Sequence, residues 1–466
     1  MKRTFTAGAA ALAVAVTLLG VAAGAPSANE QAEAAARPPA CARPNPDQPP
    51  PAPGPTTATT VGQAYYCILD NYYSGPVLDS RDLLVPAFAA LTQELQRRGL
   101  DQPHATLPAL TGRKDADWAA FAKLYRRIAD ALPDDDARKA IGHAAIKAMV
   151  GSLHDNHARF LSGFVANLYG LDLSPIVGPG DIDPVSAEPA YVLRLNPGGP
   201  AEKAGVKLGD EVVAINGAPL YSNGVLNEGV LKSLSAGGPG SSAEFTVRRP
   251  ATGETLTLTA TAAQSPPSRP GVTSRLVDGT IAYVSLPGFA PDLADQVLAA
   301  IAELRKTAQL RGVVLDLRGN GGGSPQAVSK LLGALAHGKI TSYWCDVKGN
   351  CTPNRTDDSV ELLNLPFVAL TDRRCASACD SFSSAVKDLK LGTLVGTRTA
   401  GAVSGPGEPF ALDNGTALML PRFHEIAANK EIVDTIGVAP DHYAPLTAAD
   451  LSAGRDPGLD KAVSLL

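Results

Sequence analysis

The sequence predicts an α/β protein with a helical N-terminal region, an inserted β-rich module and a C-terminal core of alternating strands and helices. Three observations predict this organisation. Apolar residues recur at spacings of three and four between residues 61 and 165, as in amphipathic helices. Short β-rich runs separated by Gly and Pro turns occupy residues 166–265. From 266 to 466, β runs alternate with helical runs, a pattern typical of βαβ units around a largely parallel sheet.

Each region contains definite predicted elements. In the helical region the predicted helices span residues 83–95, 118–132 and 137–153. In the β-rich module the predicted strands span 191–195, 211–215, 243–247 and 255–259. In the core we predict strands at 280–285, 312–317, 367–371 and 393–396, with helices at 293–307, 325–336 and 381–389.

Length and composition narrow the classes of protein. The chain has 466 residues, 45% hydrophobic and 19% charged, which is enough apolar material for several buried cores. The formal net charge is −5, and no long run of Lys and Arg is present. Because a nucleic-acid surface needs concentrated positive charge, we expect no nucleic-acid partner. The expected partners are proteins, peptides or small molecules.

The N-terminal segment has the features of an export signal. Lys2 and Arg3 precede an uncharged apolar run at 7–23, and small residues suited to cleavage follow. We therefore predict a signal peptide at 1–28 and a secreted, extracytoplasmic protein, with no membrane span after signal cleavage. Residues 29–60, rich in Pro and small polar residues, are predicted to be a linker.

The chain has six cysteines, an even number that favours disulfides in an exported protein. Proximity suggests the pairs Cys41–Cys67 and Cys345–Cys351, although six cysteines allow about 15 connectivities and buried free thiols are an alternative. Cys375 and Cys379 lie four residues apart beside a predicted helix, where a bridge between them requires strain. We expect these two to be free packing thiols or bridged to the other cysteines. No recurring Cys-x-x-Cys pattern with His suggests a zinc site.

The segment NPGGPAEKAGVKLGD at 196–210, followed by EVVAING at 211–217, resembles a PDZ domain. The segment has, in the same order as a PDZ domain, small residues, a Gly-Asp turn and an alternating strand that ends in Asn-Gly. The resemblance implies that residues 166–265 receive an extended chain end by strand addition. The alternative is a β module that only positions the core.

Two strand-to-helix junctions in the core have unusual turns. The first, VVLDLRGNGGGS at 313–324, leads a buried strand into a glycine-rich turn whose N–H groups are suited to an oxyanion. A dinucleotide site is the competing interpretation, but the Gly-x-Gly-x-x-Gly register is absent. The second, FVALTDRRCASACDSF at 367–382, places Ser377 and the N–H of Ala378 at a helix start. A serine that precedes a helix is far more often an N-cap than a nucleophile, and a neighbouring cysteine is a rival nucleophile.

A serine nucleophile needs a base. His157 and its neighbour His154 are the candidates, in a polar segment between the helical region and the β module. The same His/Asp/His cluster also fits a metal site, but its spacing lacks further ligands, and we expect no metal.

The junctions together resemble the tail-specific or C-terminal processing serine proteases, including their tricorn-core and retinoid-binding branches. The resemblance covers residues 149–466 and extends to IGVAPD at 436–441 and GRDPGLDKA at 454–462. It implies a crotonase/ClpP-like βαβ core, with Ser377 as nucleophile. It also implies an oxyanion hole formed by Gly321 or Gly322 with Ala378.

One departure from the commonest branch selects the base. That branch has a lysine about 25 residues past the serine, and here Ala402 occupies its place. The tricorn-like branch takes a histidine from a "DgHt" segment, which DNHA at 155–158 resembles, so the resemblance implies His157. An acidic residue three positions before the "GV.PD" block is Asp434 here, with Glu431, Glu425 and Asp441 as neighbouring alternatives.

The sequence therefore predicts a secreted serine endopeptidase with a Ser377–His157–Asp434 triad and no cofactor, acting on unstructured polypeptides or protein C-terminal tails. The alternative is a catalytically weak protein of the same fold that binds peptides or apolar ligands.

Overall fold

The structure is a computed structural model that describes residues 37–44, 54–162, 168–174, 176–178, 181–182, 189–222, 224–236, 238–263 and 271–466. The predicted signal peptide at 1–28 and part of the predicted linker at 29–60 lie outside the described residues. Within the described ranges, no helix combines the length and hydropathy that a membrane crossing requires.

The N-terminal region is helical, as predicted, because side-chain caps start amphipathic segments. Thr57, Asp79 and Asp134 each accept hydrogen bonds from backbone N–H groups in the first turn of the helix that follows. The apolar faces of these helices pack on one another in a common core. The elements are α1 (Ala58–Asn71), a 3₁₀ turn (Gly75–Val77), α2 (Ser80–Arg97), α3 (Lys114–Asp130), α4 (Asp135–Gly151) and strand β1 (Arg159–Leu161).

The β-rich module contains a sheet with strand order β11-β10-β6-β5-β2, and β7 pairs with β6. Alternate residues of its longest strand, Ala243, Phe245 and Val247, are buried in the core of the module. The elements are β2 (Leu171–Ser174), β3 (Ile176–Gly178), β4 (Asp181–Ile182), β5 (Tyr191–Leu195), α5 (Pro200–Lys203), β6 (Glu211–Ile215), β7 (Ala218–Pro219), β8 (Tyr221–Ser222), β9 (Val225–Leu226), α6 (Glu228–Ala236), β10 (Ser242–Arg248) and β11 (Thr255–Thr261).

The C-terminal core is built on a sheet with strand order β12-β13-β14-β17-β18-β22, in which the neighbours from β13 onward are parallel. Every residue of β14 and β17 is buried because helices cover both faces. The elements to this point are β12 (Thr273–Val277), β13 (Ile281–Ser285), α7 (Pro291–Thr307), β14 (Gly312–Asp316), α8 (Pro325–Gly333), β15 (Ile340–Cys345), β16 (Cys351–Arg355), β17 (Phe367–Thr371), α9 (Ala378–Asp388) and β18 (Thr393–Gly396).

The remaining elements close the core and connect it to the helical region. They are β19 (Gly407–Ala411), β20 (Ala417–Pro421), β21 (His424–Ala427), β22 (His442–Tyr443), α10 (Ala448–Ser452) and α11 (Pro457–Leu465). Strand β20 pairs with both β19 and β1. Phe410, Leu418 and Leu420 of this hairpin are buried in the helical core. The hairpin therefore ties the segment after α4 to the C-terminal core.

All six cysteines are paired. Cys41–Cys67 and Cys345–Cys351 form the two bridges suggested by proximity. The expectation for the other two was wrong, because Cys375 and Cys379 are bridged to each other. Two cysteines four residues apart within a helix would be strained by a bridge, but α9 begins only at Ala378, so Cys375 lies in the preceding turn. The two Cα atoms are 5.1 Å apart there, within the ordinary disulfide range.

Candidate active site

Ser377 lies between the turn after β17 and the first residue of α9. Its backbone has φ 58° and ψ −120°, a conformation that a residue with a Cβ adopts only when its surroundings enforce it. A Cβ added to Gly322 would lie 2.6 Å from Cβ of Ser377, so the glycine turn packs directly against this residue. The sharp strand–turn–helix bend is the geometry that presents a nucleophilic side chain.

His157 faces this serine. Its Nε2 atom is 2.9 Å from Oγ of Ser377, although the two residues are 220 positions apart in the sequence. The segment is held by Asp155, whose Oδ1 accepts hydrogen bonds from the backbone N–H of His157 at 2.8 Å and from Oγ of Ser404 at 2.7 Å. The hydroxyl of Tyr72 donates to its Oδ2 at 3.0 Å. Asp155 thus links the histidine to Tyr72, the residue that follows α1, and to Ser404 of the core.

The other ring nitrogen of His157 contacts Asn156 rather than Asp434. Nδ1 of His157 is 2.7 Å from Oδ1 of Asn156. The amide nitrogen of Asn156 donates to Oδ1 of Asp434 at 2.8 Å and to the carbonyl of Gly401 at 3.2 Å. Because both amide protons have acceptors, the amide oxygen is the atom that faces the imidazole. This arrangement requires a proton on Nδ1 of His157 and leaves the lone pair of Nε2 for Ser377.

Asp434 lies one residue further back than expected, with Asn156 between it and the imidazole. Its Oδ1 also accepts from the backbone N–H of Val403 at 3.1 Å, and its Oδ2 is 3.3 Å from Nε2 of His424. Although burial opposes ionisation, these hydrogen bonds lower the pKa of Asp434. The hydrogen bond to Asp434 raises the pKa of His424. An ionised carboxylate therefore faces Asn156.

Burial lowers the pKa of His157 from its ordinary value of 6.5, and the charge of Arg159 acts in the same direction. Asp155 and Asp434 oppose this shift without reversing it. The imidazole is therefore neutral at pH 7, the state that can accept a proton.

The predicted oxyanion donors lie near Ser377, and they differ in whether their N–H groups already have an acceptor. Ala378 is the first residue of α9, so its N–H has no intrahelical acceptor, and none of the described residues supplies one. The N–H of Gly322 donates to Oδ1 of Asn320 at 2.9 Å. Gly321 is exposed, and within the described ranges its N–H also lacks an acceptor.

Asp380 is a site residue that the sequence reasoning missed. Its carboxylate accepts from the backbone N–H groups of Ser377 at 3.0 Å, Gly401 at 2.9 Å and Ala402 at 3.0 Å. The side chain is buried, and this burial raises its pKa to about 6. The available signal was its position three residues after the serine, the spacing of a capping box. Ala402, where the resemblance to the commonest branch would place a lysine, contributes a main-chain donor.

Asn156 was also missed, although it immediately precedes His157. The polar character of the segment was recognised, but its amide group was given no role.

A pocket of about 300 Å³ opens beside the serine. Ser377 and Ala378 lie on its wall together with Ser381, Val403 and Glu425. Most of the other wall residues come from α8, β15 and β16. Gln326, Val328, Ser329, Thr341, Ser342, Trp344, Pro353, Asn354 and Arg355 belong to this group.

None of the described residues forms a cluster of three or more His, Cys, Asp and Glu side chains able to hold a metal ion.

Comparison with known proteins agrees with the architecture. Residues 280–444 match peptidase family S41, and residues 191–249 match the PDZ domain. The carboxy-terminal processing protease CtpB of Bacillus subtilis (strain 168) is 25% identical over 350 residues, covering 73% of this chain and 71% of that protein. Carboxyl-terminal-processing peptidase 2, chloroplastic, of Arabidopsis thaliana is 29% identical over 319 residues, 65% of this chain and 60% of its own length.

A solved structure shows the same fold. The photosystem II D1 C-terminal processing protease superposes with a TM-score of 0.51 at 23% sequence identity, covering 84% of this chain and 93% of that chain. The fold and the matching sequence regions define a hydrolase of the peptidase class. More particularly, this chain is similar to peptidase family S41 in its core and to a PDZ domain in its inserted module, and both of these curated relatives are carboxy-terminal processing peptidases.

Proposed function

We propose that this protein is an exported serine endopeptidase that cleaves unstructured polypeptides or protein C-terminal tails, with Ser377 as nucleophile and His157 as general base. The observation that carries the proposal is the 2.9 Å contact between Oγ of Ser377 and Nε2 of His157, at a serine whose backbone is bent to φ 58°. A helix-capping serine requires neither a histidine partner nor this backbone conformation.

In the first half of the reaction, Oγ of Ser377 attacks the carbonyl carbon of the scissile peptide while Nε2 of His157 takes the hydroxyl proton. When the tetrahedral intermediate collapses, the C–N bond breaks and His157 gives that proton to the leaving amine. In the second half, water attacks the acyl-enzyme, again with His157 as base, and Ser377 recovers its proton as the acid product leaves.

Two groups behind His157 support these steps. Oδ1 of Asn156 accepts the hydrogen bond from Nδ1–H, which fixes the tautomer and stabilises the imidazolium. Asp434 and the carbonyl of Gly401 hold the amide in that orientation. In this proposal Asp434 keeps the supporting role expected from the sequence, but it acts through Asn156 and not by direct contact.

The negative charge on the tetrahedral oxygen needs preorganised donors. We assign one to the N–H of Ala378, and the second to the glycine turn at Gly321 or Gly322. Gly321 is the candidate whose N–H is not used by another described residue, whereas Gly322 must first release Oδ1 of Asn320.

Substrate delivery is assigned to the inserted module. We propose boundaries of 61–165 for the helical region, 166–265 for the PDZ domain and 266–466 for the protease core, after a signal peptide at 1–28 and a linker at 29–60. The module is built on a sheet with strand order β11-β10-β6-β5-β2, the kind of structure to which an extended chain can add as a further strand.

Covalent labelling with a fluorophosphonate probe tests the nucleophile. We expect the wild type to be labelled and Ser377→Ala to be unlabelled. His157→Ala should lose labelling and peptide hydrolysis, whereas His154→Asn should keep both, because His154 is exposed and Asn tolerates its φ of 51°. Mass spectrometry of an unfolded protein digest then reports the cleavage sites. A folded wild type that takes no label and cleaves nothing contradicts the proposal and favours a ligand-binding protein of the same fold.

A further inference from the structure

The pocket beside Ser377 contains a carboxylate that the proposed reaction does not use. Glu425 lies on β21, directly opposite Trp344 of β15, and forms part of the pocket wall. The indole N–H of Trp344 donates to Oε2 of Glu425 at 3.2 Å. The side chains of Ser342 and Ser381 also lie beside this carboxyl group and favour its ionised form. These neutral neighbours orient the side chain of Glu425 but bring no compensating charge.

Glu425 has no ion-pair partner among the Lys and Arg side chains that the structure describes. Burial raises the pKa of its carboxyl group and so favours the neutral acid, although the charge of the adjacent His424 opposes this shift. Arg355, which also lines the pocket, is exposed and lies close enough to Asp358 to lower the pKa of that carboxyl group. A carboxylate that is withdrawn from water without a cation is costly, and a cation brought into the pocket removes part of that cost.

The position of the pocket determines which part of a substrate enters it. The leaving amine must lie near His157, which is not one of the residues that line the pocket. The carbonyl oxygen must lie near the N–H of Ala378, which is one of them. The pocket is therefore on the acyl side of the scissile bond. It receives the side chain of the residue whose carbonyl is attacked.

One helical turn, about 5.4 Å, separates Ser377 from the position on α9 that lies beside Glu425. Ser381 stands one helical turn after Ser377, and its hydroxyl donates to the carbonyl of Ser377 at 3.4 Å as well as contacting Glu425. The flexible stem of Lys or the longer fork of Arg spans such a separation. A second cavity of about 220 Å³ is lined by apolar residues and glycines, including Phe289, Leu293 and Gly322. Ser377 is not one of its lining residues, so we do not assign the substrate side chain to it.

We propose that Glu425 determines specificity, and that the enzyme cleaves unstructured polypeptides preferentially after Lys or Arg. This inference rests on the proposed function, because it assumes that Ser377 and His157 hydrolyse peptide bonds.

The test uses quenched fluorescent peptides that are identical except at the residue before the intended cleavage site, which is Arg, Lys, Leu, Ala or Glu. We expect kcat/KM of the wild type to be at least about 30-fold higher with Arg or Lys than with Leu, the range for a desolvated charge pair. Glu425→Gln should reduce that ratio to within a few-fold of unity. Glu425→Lys should move the preference towards Glu. Glu303→Gln, an exposed change on α7, should leave the ratio as in the wild type.

Fluorophosphonate labelling of each variant separates the two proposals. A wild type that is labelled but prefers Leu or Ala overturns the specificity proposal and leaves the peptidase proposal intact. The same conclusion follows if Glu425→Gln does not change the ratio of kcat/KM with Arg or Lys to kcat/KM with Leu. A folded wild type that takes no label and cleaves no peptide overturns both. If Glu425→Gln does not fold, as judged from its thermal unfolding, the ranking of the five peptides by the wild type still decides.

Discussion

Ser377 and His157 meet in one site, but the structure holds them in different ways. The serine is fixed by local, mostly main-chain constraints: the Cys375–Cys379 bridge around it, the contact with Gly322, and the carboxylate of Asp380 three residues later. The histidine is fixed by side-chain hydrogen bonds to residues far away in the sequence. A local constraint resists single changes, whereas a chain of side-chain contacts fails when one member is removed.

Among the residues that position the two side chains, we therefore expect the largest loss of activity from those that hold His157. In Asn156→Ala the imidazole loses the acceptor for Nδ1–H, so both its tautomer and its orientation are no longer fixed. We expect kcat/KM to fall about 10³-fold, approaching the loss seen when the supporting residue of a triad is removed. Steady-state hydrolysis of an unstructured peptide measures this.

A double-mutant cycle with Asp434→Asn shows whether the carboxylate acts through the amide. If it does, adding Asp434→Asn to Asn156→Ala costs little further activity, since the chain is already broken. Fully additive losses would mean that Asp434 supports His157 by a separate route.

The next effect concerns the serine side. Asp380→Asn replaces a carboxylate that accepts from three backbone N–H groups with an amide that has one acceptor oxygen. At least one buried N–H then lacks a partner, which costs about 1–3 kcal/mol of unfolding free energy. Because Ser377 is one of the donors, we also expect about a 100-fold loss of kcat/KM, comparable to the loss of one oxyanion donor.

Urea unfolding followed by circular dichroism, together with peptide hydrolysis, reports both quantities. Asp101→Asn, a change at an exposed loop carboxylate, serves as the matched control and should alter neither. A normal activity for Asp380→Asn would show that the bend at Ser377 is maintained without this carboxylate.

The same contrast explains what could be read from the sequence. The glycine turn and the serine junction are contiguous segments, so their strand–turn–helix structure was predictable from local patterns. The role of Asn156 depends on Asp434 and Gly401, 278 and 245 residues away, and only the folded chain brings these groups together. The core strands were predictable because β14 and β17 are buried throughout. The Cys375–Cys379 bridge was not, since it depends on where α9 begins.

A smaller effect is expected from removing that bridge. In Cys375→Ala/Cys379→Ala, Asp380 and Gly322 still constrain Ser377, so we expect less than about a tenfold loss of kcat/KM, smaller than for a lost oxyanion donor. Loss of the short cross-link should lower the unfolding free energy by about 2 kcal/mol. The matched control is Cys345→Ala/Cys351→Ala, which removes another short bridge, with a sequence separation of 6. A loss of activity as large as that of Ser377→Ala would mean that the disulfide alone maintains the bend.

The smallest effect is a displacement in pH. Burial of His157 disfavours its imidazolium form and lowers its pKa, so the neutral base persists to lower pH than for an exposed histidine. The acidic limb of kcat/KM should therefore have its midpoint below 6.5, with activity lost as pH falls through it. Asn156→Asp places a carboxylate against Nδ1, which stabilises the imidazolium and should move the midpoint upward. A wild-type midpoint at or above 6.5 would mean that the charges of Asp155 and Asp434 outweigh burial, and that the histidine side is governed by its acidic neighbours.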